Sequence, residues 1–389
     1  MPADPAPSGI APRSLYLHAP YCRSRCGYCA FASAALPVAP DWEGYAQALA
    51  REAELWGARL ARPRIETIFY GGGTPSLIPP AQFTSIFTAL RTHFDISRDA
   101  EITCEANPES ASPEFLAAAR ACGVNRLSLG VQSLDDGMLR LLGRAHDSAQ
   151  ARRAVEQARA AGFANLGLDL IWGLPGQSPE HWLSTLRLAL ALEPQHLSCY
   201  ALSVEPGTPL ERSLDRTPPS LPLLPPDEDL ERMFLEGAEI LESAGFTHYE
   251  VSNFSLPGFA CRHNSLTWAG ARYLGLGPAA VGTLHLNGRT LRWANPADPA
   301  LWREHVLRLA TAAPPPDAEI LDADTLRREG LMLGLRTNLG APLSAFAQRN
   351  ELLDRLVSGG LALAANGRLT LTRRGLLVSS AVIGELVFG

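Results

Sequence analysis

Residues 14–29, SLYLHAPYCRSRCGYC, place a short β-rich run directly before three cysteines spaced CxxxCxxC: Cys22, Cys26 and Cys29. Thiolates this close together in one loop can converge on a single metal centre, whereas residues along a strand point alternately apart. The informative count is three. A structural zinc site closes with four ligands, while a four-iron cubane held by three thiolates keeps one iron open for another ligand. Zinc is the competing reading of the same spacing. The chain has seven cysteines, an odd number, and its opening MPADPAPSGIAPRS lacks the basic and apolar regions of an export signal. Thiols therefore stay reduced, and metal ligation is favoured over disulfides.

Outward from that loop, short β-rich runs alternate with longer amphipathic stretches. Strands are predicted over Leu15–His18, Ile65–Tyr70, Glu101–Glu105, Arg126–Gly130, Gly167–Trp172 and His196–Leu202. Helices are predicted over Asp41–Leu60, Pro80–Phe94, Ser112–Cys122, Ser148–Ala161 and Ser178–Leu192, several opened by Ser or Asp as N-cap. Repeated βα units imply an α/β fold with a parallel sheet, a partial (βα) barrel of TIM-like type. Each strand leads into a polar or Gly/Pro-rich loop, in order PYCRSRCGYC, GGGTPS, ANPES, VQS, GLPGQ and SVEPGTP. A βα barrel builds its site from those loops, at one mouth.

The 389 residues, with an apolar fraction of 46%, allow a large domain and a smaller one. Residues 1–14 are Pro- and Ala-rich and predicted to be disordered; residues 15–245 form the barrel. Within the latter, TPPSLPLLPPDED interrupts the pattern as a connector before a helix over Asp227–Ala244. Residues 246–315, with the strand-like THYEVSNF, then ACRHNSLTW and the Gly-rich YLGLGPAAVG, are expected to cover one edge or the mouth of the barrel. Residues 316–389 read as helices Ala323–Leu335, Leu343–Arg349 and Glu351–Ser358 followed by a hairpin turning at Asn366 and Gly367, a small winged-helix-like unit.

A net charge of −6 leaves no basic footprint for nucleic acid, which is not an expected partner. No apolar run is long enough to span a membrane, so the protein is expected in the cytoplasm, at most peripheral to a membrane. Every basic residue is Arg. The absence of lysine excludes Schiff-base catalysis, pyridoxal phosphate attachment and a Walker-type phosphate loop.

Gly71, Gly72, Gly73 and Thr74 give a loop without side-chain bulk whose backbone can approach a zwitterion; taken alone, a glycine run is a plain turn. CxxxCxxC after the first strand with GGGTP after the second resembles the radical SAM superfamily. That resemblance implies a [4Fe–4S] cluster whose free iron is chelated by S-adenosylmethionine (SAM). Glu105, ending the third strand, can accept from the SAM amino group or ribose, and Arg144 offers a fork of donors to its carboxylate. Gln132 and Asp169, read as ending the fourth and fifth strands, are placed for ribose or adenine edges.

The motifs YxHxPYCxxxCxYC, GGGTPS, EANPE, RLSLGVQS, DLIWGLPGQ, HYEVSNF and HNxxxW together resemble the coproporphyrinogen III oxidase-like branch of that superfamily. By residue-wise transfer, Tyr16, Gly72, Gly73, Thr74, Glu105, Gln132, Arg144 and Asp169 surround SAM, while Phe31 and Ala201 match positions lining a second SAM in the oxidases. The true oxidases carry a further Cys where this chain has Phe31. In this respect it is similar to the haem-chaperone members, and the resemblance implies haem as a ligand, with haem-accepting proteins, among them membrane respiratory enzymes, as partners, and leaves room for an oligomer. His263, Asn264 and Trp268 match the haem pattern HNxxYW, with Thr267 in place of its Tyr. An imidazole is a competent axial ligand and an indole can stack on a porphyrin; a His satisfied by a loop carbonyl is the alternative. SAM-dependent decarboxylation of coproporphyrinogen III is the second functional reading.

Overall fold

Burial explains why Ser14–Ala19 becomes the centre of the sheet: Leu15, Leu17 and Ala19 are fully buried. A computed structural model describes residues 11–216 and 221–389; the first ten residues of the N-terminal expectation and residues 217–220 of the Pro-rich connector lie outside them. Following the chain, the strands of the βα repeat are β1 (Ser14–Ala19), β2 (Arg64–Gly72), β3 (Asp95–Ala106), β4 (Arg126–Gln132), β5 (Leu166–Trp172) and β6 (His196–Ala201). β1 to β4 pair in parallel in that order, with Leu15 opposite Ile68 and Cys104 opposite Leu127. Parallel neighbours need crossovers, and the helices Trp42–Arg59, Pro80–His93 and Pro113–Ala121 supply them, while Ser148–Ala160 leads from β4 to β5.

Side-chain caps fix where those helices begin. Asp41 accepts from the Gly44 N–H at 2.8 Å, Ser112 from Phe115 and Ser178 from His181, each at 3.2 Å. The helix at Ser148 is opened by a capping box, Asp147 with Gln150. β3 is longer than its predicted core, Glu101–Glu105. Its first half, DISRDA, is polar and largely exposed, and it follows β2 across a register shift between Ile65 and Thr67.

The chain forms two compact units. The first comprises the chain up to Asp169, a segment starting at Ser203, and Ala271–Leu321. In it, strand Tyr273–Leu276 extends the parallel sheet beside β1, and Val281–Leu286, Arg289–Ala294 and Glu319–Leu321 continue it antiparallel. The fully buried Glu52 ties this extension to the first helix, accepting from the Gly277 N–H at 2.8 Å, Asn295 at 2.7 Å and the Trp302 indole at 3.2 Å.

The second unit comprises Leu170–Leu202, Leu221–Gly270 and Asp322–Gly389. Helix Pro179–Leu190 packs on helix Asp227–Ser243, where the Trp182 indole donates to the Met233 carbonyl at 3.0 Å. β6 pairs antiparallel with Asn253–Ser255, which pairs with Thr247–Glu250. Nearer the C-terminus, helices Ala323–Gly334 and Asn350–Ser358 and the hairpin Ala362–Ala365/Arg368–Leu371 enclose a separate apolar cluster that includes Leu331, Phe346, Leu353 and Leu369. Asn366 and Gly367 turn the hairpin, both at positive φ, as predicted. The helix predicted over Leu343–Arg349 is a 3-10 turn, Leu343–Phe346. Among the described residues no helix is long and apolar enough to cross a membrane.

Candidate cluster and cofactor site

The cysteine loop is closed on itself. Tyr21 and Cys22 pair in parallel with Ala34 and Ala35, and the Leu36 N–H returns to the Cys22 carbonyl at 2.8 Å. Within the loop, the Cys29 N–H donates to the Cys26 carbonyl at 3.2 Å. Cys22, Cys26 and Cys29 are free, partly accessible thiols, while Cys104, Cys122, Cys199 and Cys261 are buried in strands or at helix ends. Burial pushes the Cys29 thiol up, and the charges of Cys26 and Cys22 add to it, against a lowering backbone hydrogen bond at Phe31. The Cys29 thiol thus lies within the field of the other two. Among the described residues no three His, Cys, Asp or Glu side chains gather about one point as a single ion requires. A cubane takes each thiolate on a different iron, so it does not need that convergence.

His18 braces the loop from beneath. Its Nε2–H donates to the Ala32 carbonyl at 2.8 Å, so Nδ1 accepts the Tyr16 hydroxyl at 3.1 Å; burial lowers its pKa and keeps the ring neutral. Each glycine at the end of β2 answers to a different neighbour. A Cβ on Gly71 would stand 2.9 Å from the Glu105 carboxylate, one on Gly72 (φ +98°) would meet the His18 ring at 2.6 Å, and one on Gly73 would meet the Tyr21 carbonyl at 2.6 Å. Gly71 and Gly72 belong to the strand itself, and the loop proper begins at Gly73, followed by the buried Thr74.

Glu105 is the penultimate residue of β3 and keeps part of its surface accessible. Burial of its carboxyl, with the charge of Asp169 added, pushes it up to about 8, against Arg126 and the Gly72 N–H. Asp169 does not end its strand, as the sequence suggested. It sits in the middle of β5 and accepts from the Ser128 hydroxyl at 3.0 Å. Gln132 does end β4, and it does so in the left-handed region, φ +64°, which is uncommon for a residue with a side chain.

Arg144 comes to the cysteine loop from the segment after helix Asp136–Leu141. Its guanidinium donates to the Cys26 sulfur at 3.3 Å, the Asn107 Oδ1 at 2.7 Å and the Gly130 carbonyl at 2.9 Å. Its buried Nε has no partner. An unmatched donor on a buried cation, next to the Cys26 thiol, suits a ligand that carries a carboxylate. Nearby, both ring nitrogens of His146 face acceptors, Glu109 at 3.2 Å and the Val131 carbonyl at 3.1 Å. Burial acts to raise the Glu109 carboxyl, but the His146 hydrogen bond, a hydrogen bond from its own backbone N–H and the charge of Arg144 together outweigh this and hold it below its ordinary value.

The structure therefore brings Tyr16, Gly72, Gly73, Thr74, Glu105, Gln132, Arg144 and Asp169 together with the three cysteines in the first unit. Phe31, in the cysteine loop, is 71% exposed, and Ala201 ends β6 in the second unit, also exposed. His263, Asn264 and Trp268 lie in the second unit on a helix, Arg262–Trp268, and not in a loop. His263 is buried and Trp268 half-buried. Five residues apart on a helix, their side chains diverge by about 140° and do not share one face. The residues missed from sequence were His18, Asn107, Glu109 and His146. Each except His146 lies inside a motif already quoted, so the positions were visible while their contacts were not.

A closed three-thiol loop at the end of β1, a glycine-bearing strand end beside it and an arginine that donates to one of the thiols fit a radical SAM protein, and the model of the Radical SAM superfamily matches residues 16–189. The chain is 40% identical to "Heme chaperone HemW" of Mycobacterium tuberculosis, covering 98% of this chain and 96% of that protein. It is 37% identical to the mouse "Radical S-adenosyl methionine domain-containing protein 1, mitochondrial", over 96% and 86% of the two chains. Among solved structures, coproporphyrinogen III oxidase (HemN) of Escherichia coli superposes with a TM-score of 0.82 at 24% identity, covering 98% of this chain and 91% of that one. The chain belongs to the HemW family of radical SAM proteins. With that membership come a [4Fe–4S] cluster and SAM as cofactors.

Proposed function

We propose that this protein is a haem chaperone: it binds haem and a SAM-bound [4Fe–4S] cluster and hands haem to haem proteins, respiratory membrane enzymes among them, in a monomer or an oligomer. The observation that carries the reading is likeness to curated haem chaperones along nearly the whole chain, 40% over 98% of it. Phe31 supports it from within the site, since a side chain with no donor or ligand atom stands where the oxidases place a cysteine.

In this reading Cys22, Cys26 and Cys29 hold the cluster. Arg144 offers its open Nε to the SAM carboxylate, Glu105 accepts from the amino group or ribose, and Tyr16, Gly72, Gly73, Thr74, Gln132 and Asp169 complete the surround. A cluster held by these thiols would, once reduced by an external donor, supply one-electron chemistry toward SAM bound beside it. Phe31 offers exposed apolar surface in the cysteine loop of the first unit, and Ala201 is exposed at the end of β6 in the second. On the haem side, His263 is the candidate axial ligand, with Asn264 next to it in the chain and Trp268 on a different face of the same short helix. Because His263 is buried and Trp268 points elsewhere, ligation by this ring requires the short helix to shift.

The reading is tested by loading the purified protein with haem and mixing it with an apo haem protein. Appearance of the acceptor's Soret band at the expense of the donor's is the predicted result. Failure to bind haem in both apo and cluster-loaded forms refutes the reading.

A further inference from the structure

We propose that Asn107 is a positioning residue that fixes Arg144 and Thr74 together in the arrangement that receives the amino-acid end of SAM. The proposal rests on the reading that Arg144 meets the SAM carboxylate, and it deepens that reading by naming what holds the arginine.

Asn107 follows β3 and uses its polar groups in opposite directions. Its Oδ1 accepts from Arg144 Nη2 at 2.7 Å, and its Nδ2 donates to the Thr74 hydroxyl at 3.1 Å. A guanidinium only donates, so the amide orientation is fixed: oxygen to Arg144, nitrogen to Thr74. The threonine oxygen is then an acceptor to the amide, and its own proton is free to point elsewhere. The backbone is pinned as tightly, because the Asn107 N–H donates to the Ser76 hydroxyl at 3.3 Å and its carbonyl accepts the Ser110 and Ala111 N–H groups, each at 3.0 Å. One side chain thereby couples the loop after β2, the loop after β3 and the arginine that reaches the cluster thiol.

Charge explains why an amide suits this place. A carboxylate there would orient Arg144 equally well, but it would neutralise the guanidinium and repel an incoming carboxylate, and it could not donate to Thr74. A neutral acceptor orients the cation and leaves its charge for the ligand. The packing agrees, since a Cβ on Gly130 would stand 2.8 Å from the Asn107 Oδ1 and 3.4 Å from Arg144 Nη2. The glycine makes room for the amide and guanidinium to meet.

The experiment is a SAM titration of the full chain after anaerobic cluster reconstitution, using wild type, Asn107→Ala, Asn107→Asp, Arg144→Ala and the Asn107→Ala/Arg144→Ala double variant. Iron content and melting temperature are measured on each sample. Loss of a hydrogen bond to a charged group predicts that Asn107→Ala weakens SAM roughly tenfold with iron unchanged, and Asn107→Asp weakens it at least as much. In the Arg144→Ala background, the further loss of Asn107 should cost clearly less than tenfold, because only its neutral contact to Thr74 is then left to lose. The reduced cluster's electron paramagnetic resonance signal should change with SAM in wild type and require higher SAM in the variants. A full tenfold loss persisting without Arg144 would overturn the proposal, since Asn107 would then be acting on the fold. Unchanged affinity in both Asn107 variants, with Arg144→Ala still weakened, would overturn the proposal while leaving the Arg144 reading intact. Unchanged affinity in Arg144→Ala would overturn both.

Discussion

Replacing Glu105 with Gln should remove a pH dependence from SAM binding. The Glu105 carboxyl, ordinarily near 4.5, stands at about 8 because burial and the charge of Asp169 disfavour its ionised form. At pH 7 it is ionised in roughly one molecule in ten, and at pH 9 in roughly nine in ten. If SAM is received by the carboxylate, the site must release a proton on binding below pH 8. Affinity therefore falls as pH falls, by roughly tenfold or about 1.4 kcal/mol between pH 9 and pH 7. The stability linkage has its own sign. Between about 4.5 and 8 the folded chain holds a proton that the unfolded chain lacks, so this group's contribution to stability declines as pH rises through that window. The assay is a SAM titration of cluster-loaded wild type and Glu105→Gln from pH 6.5 to pH 9, with released protons measured in buffers of different ionisation enthalpy. Protons from SAM's own amine appear in both proteins and cancel in the difference. Identical pH slopes for the two proteins would refute the reasoning.

Other expectations follow from the same geometry. Cys26→Ala should lose the visible absorbance and most of the iron after anaerobic reconstitution, whereas Ser in place of Cys104, Cys122, Cys199 or Cys261 should keep both; native zinc in place of iron would contradict this. Gly73→Ala drives a Cβ to 2.6 Å from the Tyr21 carbonyl and 2.9 Å from that of Ala19. Overpacking against backbone should cost about 1–3 kcal/mol by denaturant unfolding, together with weaker SAM binding, and an unchanged midpoint would count against the close approach of those loops. His263→Ala should alter the haem Soret position or iron spin state, and identical haem spectra would remove His263 as a ligand.

The parts legible in sequence were those governed by local chemistry. The alternation of β-rich and amphipathic runs and the Asn366-Gly367 turn placed elements within a residue or two of their observed ends, except at the start of β3 and in the 3-10 turn Leu343–Phe346. What escaped depended on partners distant in the chain. In the polar half of β3, Asp95 and Ile96 pair with Arg64 and Ile65 of β2, a contact the local sequence does not announce. The helix Arg262–Trp268 read as a loop because Asn264, Ser265 and Thr267 are weak helix formers and no side chain caps it at Cys261. Asp169 falls inside the predicted strand Gly167–Trp172, at odds with reading it as the strand's end, and the Ser128 hydroxyl that donates to it lies on another strand. Asn107 stood inside a quoted motif, but nothing local says that its amide spans Thr74 and Arg144.

The central claim, haem carriage in place of porphyrin chemistry, is tested most directly by two readings on one anaerobically reconstituted sample: haem titration, and incubation with coproporphyrinogen III, SAM and a low-potential reductant. Haem binding at about one per chain, with no protoporphyrinogen IX formed, is the predicted result. Sustained SAM-dependent decarboxylation would contradict it.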